Sequence, residues 1–202
     1  MQTLLEGYRR FRATGWHDHA ASLAALAREG QKPRALVIAC ADSRIDPNLI
    51  FAAAPGDLFV IRNIASLVPP YAPDHFAHGT SAAMEYAVRV LEVPNIVVMG
   101  HAGCGGIRAL LGGVPDSASD FVGPWMQIAE AARNRALAYG PEDKRTACEH
   151  EAIKLSLGNL MTFPWIAEGV TGGRLALHGM SFDIATGALW VLESDGMFRT
   201  VA

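Results

Sequence analysis

One short apolar run constrains the fold of this chain more than any other segment. Residues 35–39 (Ala-Leu-Val-Ile-Ala) follow Pro33 and lead directly into residues 40–44 (Cys-Ala-Asp-Ser-Arg). A run of this length between a breaker and polar residues is typical of a buried β-strand that ends in a loop. Because open α/β sheets bind ligands at the carboxyl ends of their strands, residues 40–44 are candidates for chemistry. On their own they are equally well explained by a buried thiol, a capping Asp or Ser and a surface Arg.

Further apolar runs extend this single strand into a sheet. Residues 58–61 and 96–99 predict two more buried strands, and a hairpin is predicted over 174–192 with its turn at 185–187. Helical patterns fill the segments between the strands: 80–91, 121–139 and 142–161. This alternation predicts an α/β fold with a mostly parallel sheet of order 2-1-3-4 and an antiparallel C-terminal edge strand, covered by helices. We expect residues 1–202 to form one domain.

The amino-terminal segment predicts a helical arm. Apolar side chains recur at helical spacing in residues 2–29, with an interruption near Thr14-Gly15. We expect residues 1–30 to pack on a partner subunit, in a homodimer or a homotetramer. Farther along, Asp46 and Pro47 predict the N-cap and the first position of a short helix.

Composition excludes several functional classes. The net charge of −3 gives no basic footprint for nucleic acid. No apolar run reaches membrane-spanning length, and the first residues lack the apolar core of a signal peptide. Three cysteines in a chain of this size do not make a disulfide framework. These features favour a cytoplasmic protein with no membrane or nucleic-acid partner, whose cysteines are metal ligands, nucleophiles or inert thiols.

A second group of candidate residues follows the strand predicted at 96–99. His101 and Cys104 stand three residues apart, so that one imidazole and one thiolate can reach the same metal ion. Glycines at 103, 105 and 106 permit unusual backbone angles in the turn. Cys104 also precedes a predicted helix, whose amino-terminal dipole favours a thiolate.

Strand order decides whether these residues meet. In a 2-1-3 order, Cys40 joins His101 and Cys104 at one switch point, and two thiolates with one imidazole suit Zn²⁺. No fourth Cys or His follows a ligand pattern, which favours a catalytic site with an open position. Asp42 could fill that position as a fourth ligand, or Arg44 could hold its carboxylate in an ion pair. A purely structural zinc and a thiol redox sensor are alternatives, although the cysteines form no C-x-x-C pair.

Together, these motifs resemble the β-class carbonic anhydrases, and in particular their plant-like subgroup. The resemblance rests on Cys-x-Asp-Ser-Arg at 40–44 and His-x-x-Cys-Gly-Gly at 101–106, and it covers most of residues 31–193. Supporting segments lie at 55–65, 85–88 and 178–179.

The resemblance implies one zinc ion per subunit, bound by Cys40, His101 and Cys104. It makes Asp42 and Arg44 a catalytic dyad, with Asp42 as a fourth ligand in a closed, inactive state. It also implies reversible hydration of CO2 to bicarbonate and a proton, by attack of a zinc-bound hydroxide. An alternative on the same site is hydrolysis of a CO2 analogue, COS or CS2.

Four further residues match the substrate pocket of the plant-like subgroup: Gln31, Phe59, Ile64 and Tyr86. In that subgroup the Gln reaches the site across a dimer interface. Another subgroup has a non-catalytic bicarbonate site, but two of its three positions differ here (Val37 and Phe182). Its third position, Arg62, is therefore expected to be structural, at an interface or as a loop anchor.

The other histidines and the third cysteine are given ordinary roles. We expect the pairs His17/His19 and His75/His78 at the surface or an interface, and His178 in packing. Cys148 is expected to be an inert thiol. No residue stands out in the sequence as the group that carries the released proton away.

Overall fold

The computed structural model describes residues 1–140 and 144–201, and a six-stranded sheet lies at its centre. The strands are β1 (Ala35–Cys40), β2 (Leu58–Asn63), β3 (Asn95–His101), β4 (Ala176–Phe182), β5 (Leu189–Leu192) and β6 (Phe198–Thr200). Their spatial order is β2-β1-β3-β4-β5-β6. The first four strands are parallel to one another, whereas β5 is antiparallel to β4 and β6 is antiparallel to β5. The predicted order 2-1-3-4 with an antiparallel C-terminal strand is confirmed.

The carboxyl-terminal edge of the sheet differs from the prediction. β5 was expected to be the edge strand, but β6 pairs with it through Leu192 and Phe198. β6 is only three residues long and includes Arg199. No apolar run marks so short a strand, which explains why the sequence pattern did not indicate it.

Strand register places the ends of β1 and β3 side by side. Cys40 pairs with Asn63 of β2, and Ala39 pairs with Met99 of β3, so that His101 lies at the same sheet edge as Cys40. Every residue of β1 is buried. A strand between two parallel neighbours and covered on both faces needs a continuous apolar run, which residues 35–39 provide.

The helices cover both faces of the sheet, and alternate residues of β1 contact two separate cores. Val37 and Ala39 pack in the core formed with α5 to α8, while Leu36 and Ile38 pack in the one that includes Met84. The helices are α1 (Gln2–Arg10), α2 (Trp16–Glu29), α3 (Pro47–Ile50), α4 (Gly79–Glu85), α5 (Gly105–Gly112), α6 (Val122–Gln127), α7 (Glu130–Ala136), α8 (Lys144–Leu160) and α9 (Pro164–Thr171).

Several helix boundaries differ from the predictions. The helix predicted at 80–91 consists of α4 and a π-helical segment, Tyr86–Val90. The pattern at 121–139 forms two helices, α6 and α7. The predicted helix start at residue 142 lies outside the described residues. Asp46 caps α3 as expected, because its Oδ1 accepts hydrogen bonds from the backbone N–H groups of Asn48 and Leu49 at 2.8 and 3.4 Å.

The amino-terminal arm is one continuous helical rod. The interruption predicted near Thr14-Gly15 takes the form of a π-helical segment, Phe11–Gly15, which joins α1 to α2 without a break in the helical chain. No residue of α1 or α2 is buried, and Leu4 and Tyr8 are exposed. Among the described residues, no helix combines the length and apolar composition needed to cross a membrane.

Candidate metal centre

Three thiol and imidazole groups meet at the carboxyl edge of the sheet. Cys40 ends β1, His101 ends β3, and Cys104 is the N-cap residue of α5. The turn between His101 and Cys104 passes through Gly103, whose φ of 71° favours glycine. Gly106 serves a different purpose from the one predicted: a Cβ there would lie 2.9 Å from the Ile64 side chain, so glycine permits close packing.

The donor atoms of Cys40, His101 and Cys104 lie within 4.8 Å of one another, and all three residues are buried. The two Sγ atoms are 3.9 Å apart. His101 Nδ1 lies 3.0 Å from the Ala102 carbonyl oxygen, to which it donates, and this fixes the ring so that Nε2 carries the free lone pair. His101 Nε2 is buried and makes no hydrogen bond to any residue that the structure describes.

This donor set fits Zn²⁺. Two thiols and an imidazole are the ligands that zinc prefers, and three protein ligands leave a position open. The unpartnered Nε2 would be costly in the interior unless a further group satisfied it. A bound cation would satisfy this lone pair and both sulfurs together.

The two thiols share a proton, and this separates their acidities. The hydrogen bond between the two Sγ atoms lowers the pKa of Cys40 well below its ordinary value, against the opposing effect of burial. The same hydrogen bond, followed by burial, raises the pKa of Cys104 far above its ordinary value. The metal-free pair therefore holds one thiolate readily, and metal binding would displace the second proton.

Asp42 and Arg44 form a bidentate ion pair beside the donor set. Arg44 Nε and Nη2 donate to the two carboxylate oxygens at 3.0 and 2.7 Å, and the Arg44 backbone N–H donates at 3.0 Å. These bonds hold the pKa of Asp42 far below its usual range. Asp42 Oδ2 lies 3.8 Å from His101 Nε2, and Arg44 also donates to the Gly103 carbonyl at 3.1 Å. The pair thus joins the loop after β1 to the loop after β3.

Arg62 fixes the loop that carries Asp42. Its guanidinium donates to the carbonyl oxygens of Cys40, Asp42 and Ile45 at 3.0, 2.6 and 2.7 Å. The loop-anchor role expected for Arg62 is confirmed. Three backbone acceptors held by one side chain from β2 restrict the positions open to Cys40 and Asp42.

Glu149 belongs to the site, although the sequence analysis missed it. It is 4% exposed, and its Oε1 accepts hydrogen bonds from the backbone N–H groups of Gly103 and Cys104 at 2.8 and 3.2 Å. Burial raises the pKa of Glu149. One feature of the sequence could have indicated Glu149: it is a carboxylate on the apolar face of a helix, where Cys148 and Ala152 also lie.

The residues of the expected substrate pocket fall into two groups. Ile64 lines a cavity of about 470 Å³ next to the metal centre, and its carbonyl oxygen accepts a 2.8 Å hydrogen bond from Trp125 Nε1. We name it the Trp125 cavity; the residues that line it are Ala41, Asn63, Ile64, Pro69, His78, Gly79, Thr80, Ser81, Phe121, Val122 and Trp125.

Gln31, Phe59 and Tyr86 lie elsewhere in the chain. Phe59 pairs in register with Leu36 near the amino ends of β1 and β2, and its ring centroid is 6.0 Å from that of Tyr86. Gln31 is exposed and precedes β1. Since a strand rises ~3.3 Å per residue, the length of β1, roughly 17 Å, separates this end of the sheet from Cys40. Within one chain, the structure does not bring these three side chains to the Trp125 cavity.

The other histidines and Cys148 lie outside this group of donors. His178 Nε2 is 3.0 Å from Asn95 Oδ1, and His78 Nε2 is 2.7 Å from Asp74 Oδ1. Burial raises the pKa of the Cys148 thiol to about 11. Across residues 1–140 and 144–201, Cys40, His101 and Cys104 form the one group of three potential metal ligands.

A mixed sheet covered by helices, with two cysteines and a histidine gathered at its carboxyl edge, defines an α/β protein with a group of side chains that could hold a metal ion. A family model described as "Carbonic anhydrase" matches residues 35–189. Beta carbonic anhydrase 3 of Arabidopsis thaliana is 38% identical over 205 aligned residues, which cover 96% of this chain and 78% of that protein.

Solved structures agree with this match. The β-carbonic anhydrase CcaA superimposes with a TM-score of 0.91 at 37% identity, covering 100% of this chain and 99% of that one. A tetrameric β-carbonic anhydrase from Sordaria macrospora gives a TM-score of 0.82 at 28% identity, with coverage of 100% and 98%. The chain belongs to the β-class carbonic anhydrase family, and it is an enzyme of that type.

Proposed function

We propose that this enzyme hydrates CO2 reversibly to bicarbonate and a proton with one Zn²⁺ bound by Cys40, His101 and Cys104. Two observations carry the proposal together. The donor atoms of three buried residues lie close to one another, and His101 Nε2 has no hydrogen-bond partner among the described residues. When bound, zinc lowers the pKa of a coordinated water from 15.7 to ~7 and so supplies a nucleophile near neutral pH.

Asp42 and Arg44 orient the attacking oxygen in this proposal. Asp42 stays ionised because Arg44 donates to both of its oxygens, so its carboxylate is available only as a hydrogen-bond acceptor. It accepts a hydrogen bond from the attacking oxygen and directs the lone pair of that oxygen toward CO2. If Arg44 released it, Asp42 could become a fourth metal ligand, since Oδ2 is already 3.8 Å from His101 Nε2. That state would close the open position and stop the reaction.

The apolar part of the substrate site is shared between two copies of the chain in this proposal. Ile64 comes from the copy that holds the metal, whereas Gln31, Phe59 and Tyr86 come from its partner. Their distance from Cys40 within one chain supports this assignment, as does the exposed apolar face of the amino-terminal arm. An apolar wall suits CO2, and the Gln31 amide would hydrogen-bond its oxygen.

The test is zinc content together with stopped-flow CO2 hydration between pH 7 and 9. We expect about one zinc per chain, activity that rises with pH, and a loss of about 100-fold or more in kcat for Asp42→Asn. The matched control is Asp195→Asn, because Asp195 pairs with Arg199 in the same bidentate way at 3.1 and 2.5 Å on the distant β5–β6 turn. Zinc-loaded protein without CO2 hydration would refute the proposal. Turnover of COS or CS2 by that protein would assign the site to the alternative substrates.

A further inference from the structure

The proposed reaction leaves one proton to be removed in each turnover. CO2 and water combine to give bicarbonate, and the remaining proton must reach a buffer base before the next cycle. An imidazole is the side chain best suited to pass a proton near neutral pH. His101 is committed to the metal centre, so another histidine beside the site would be needed.

His78 is placed where such a group would act. It lines the Trp125 cavity, and so does Ala41, the residue between Cys40 and Asp42. The His78 side chain is 43% exposed, so it contacts both the cavity and bulk solvent. The remaining histidines, all within the described residues, do not line this cavity: His17, His19, His75, His150 and His178.

Asp74 holds the His78 ring in one orientation. Asp74 Oδ1 lies 2.7 Å from His78 Nε2 and also accepts a 2.7 Å hydrogen bond from the Phe76 backbone N–H. The pKa of Asp74 is lowered, first by the Phe76 N–H and then by His78, so the carboxylate stays ionised. With Nε2–H directed to Asp74, Nδ1 is the nitrogen left to accept a proton. Two other charged groups near this loop, Glu85 and Arg89, pair with each other at 2.8 Å.

The Trp125 cavity, lined by both His78 and Ala41, has room and polar groups for water. Its volume of about 470 Å³ exceeds the ~30 Å³ that one liquid water occupies. Asn63, which also lines the cavity, has a buried Oδ1 that accepts no hydrogen bond from the described residues. A water donating to this oxygen would stand between the loop after β1 and the start of α4.

We propose that His78 carries the proton released by CO2 hydration out of the site, and that Asp74 is its positioning residue. The inference rests on the proposed function. The proton passes from water in the Trp125 cavity to Nδ1 of His78, and then to a buffer base in solvent. The ring returns to its neutral form, so each cycle delivers one proton to solvent and regenerates the imidazole.

The experiment compares His78→Ala with the matched control His75→Ala, an exposed histidine of the same loop. His78 makes no side-chain cap to α4, so its removal leaves the start of that helix intact. At low buffer concentration we expect kcat of His78→Ala to fall about tenfold or more, with kcat/KM unchanged, because proton removal follows the CO2 step. Added imidazole should restore kcat. Asp74→Asn should change kcat in the same direction and by less, and His75→Ala should match the wild type.

A second readout separates proton transfer from a structural effect. Exchange of ¹⁸O between CO2 and water at equilibrium reports the interconversion of CO2 and bicarbonate and the proton-dependent release of water as two rates. His78→Ala should lower only the second. The inference is overturned if kcat at low buffer equals that of the wild type, or if kcat and kcat/KM fall together and imidazole restores neither. Wild-type protein inactive at every buffer concentration would instead refute the proposed hydration.

Discussion

Cys40 and Cys148 are both buried thiols, yet their surroundings give them opposite acidities. The hydrogen bond that Cys40 shares with a second thiol lowers its pKa well below the ordinary value. Cys148 makes no such bond to the described residues, and burial followed by the negative charge of Glu149 raises its pKa to about 11. In the sequence, only the surrounding pattern distinguishes the two cysteines: Cys40 ends a strand, whereas Cys148 lies in a helical pattern. Their chemistry follows from neighbours that are distant along the chain.

Cys148 predicts a loss of stability in alkaline solution. A thiol whose pKa is raised on folding stabilises the native state below its ordinary pKa, and this contribution is lost as the pH rises through the folded value. Between pH 9.0 and about 11, we expect the free energy of unfolding of the wild type to fall by about 1–3 kcal/mol more than that of Cys148→Ala. Denaturant unfolding at each pH measures this, with both proteins equally loaded with zinc. A difference between the two proteins that stays constant from pH 7 to 11 would contradict it.

At the scale of elements, α8 and the loop before α5 are coupled through Glu149. One carboxylate from the helix satisfies two backbone N–H groups of the loop that carries Cys104. Such contacts hold a ligand in place before the metal arrives. The orientation of the Cys104 loop therefore depends on the packing of α8 against β3 and β4.

Removing this contact should weaken metal binding. For Glu149→Ala, which leaves the N–H groups of half-buried Gly103 and buried Cys104 without this acceptor, we expect zinc affinity to fall about 10–100-fold, measured by competition with a chelator. Glu149→Gln keeps an acceptor oxygen and should bind zinc nearly as the wild type does. Glu151→Gln is the control on the same helix, because Glu151 pairs with Arg135 and Lys154 instead. Wild-type affinity in Glu149→Ala would show that the hydrogen bonds have no positioning effect.

The elements that the sequence could predict are those that local patterns determine. β1 and β3 were predictable because buried parallel strands need unbroken apolar runs, and their polar ends identified Cys40, His101 and Cys104. The π-helical segment Phe11–Gly15 and the three-residue β6 have no comparable pattern. Glu149 could not be assigned to the site because its partners lie 45 and 46 residues away along the chain.

At the scale of the whole molecule, a single copy of the chain does not bring all the residues of the expected site together. Ile64 lines the Trp125 cavity, whereas Phe59 and Tyr86 pair with each other near the other end of β1. The resemblance predicted that Gln31 crosses a dimer interface, and the sequence could not show that Phe59 lies near the start of β1, the strand that Gln31 precedes. That assignment depends on strand register.

Shared sites predict complementation between inactive copies. We expect Asp42→Asn and the double variant Phe59→Ala/Tyr86→Ala each to be impaired, and a mixed assembly to regain activity. In a mixed dimer, the double variant supplies an intact metal centre and the Asp42→Asn copy supplies intact Phe59 and Tyr86. Random pairing would restore about one quarter of the sites, measured as CO2 hydration after the two copies are refolded together. Each variant refolded alone is the control, and a mixture with only the average activity of the two would contradict a shared site.

The central position of β1 and β3 also sets how slowly their amide hydrogens exchange with solvent. Both strands are hydrogen-bonded on each side, and their amide hydrogens should exchange with solvent only when the sheet as a whole opens. The arm and β6 lie at the periphery and can fray independently. Cys40 and His101, which stand at the ends of these strands, therefore keep their arrangement for as long as the core survives.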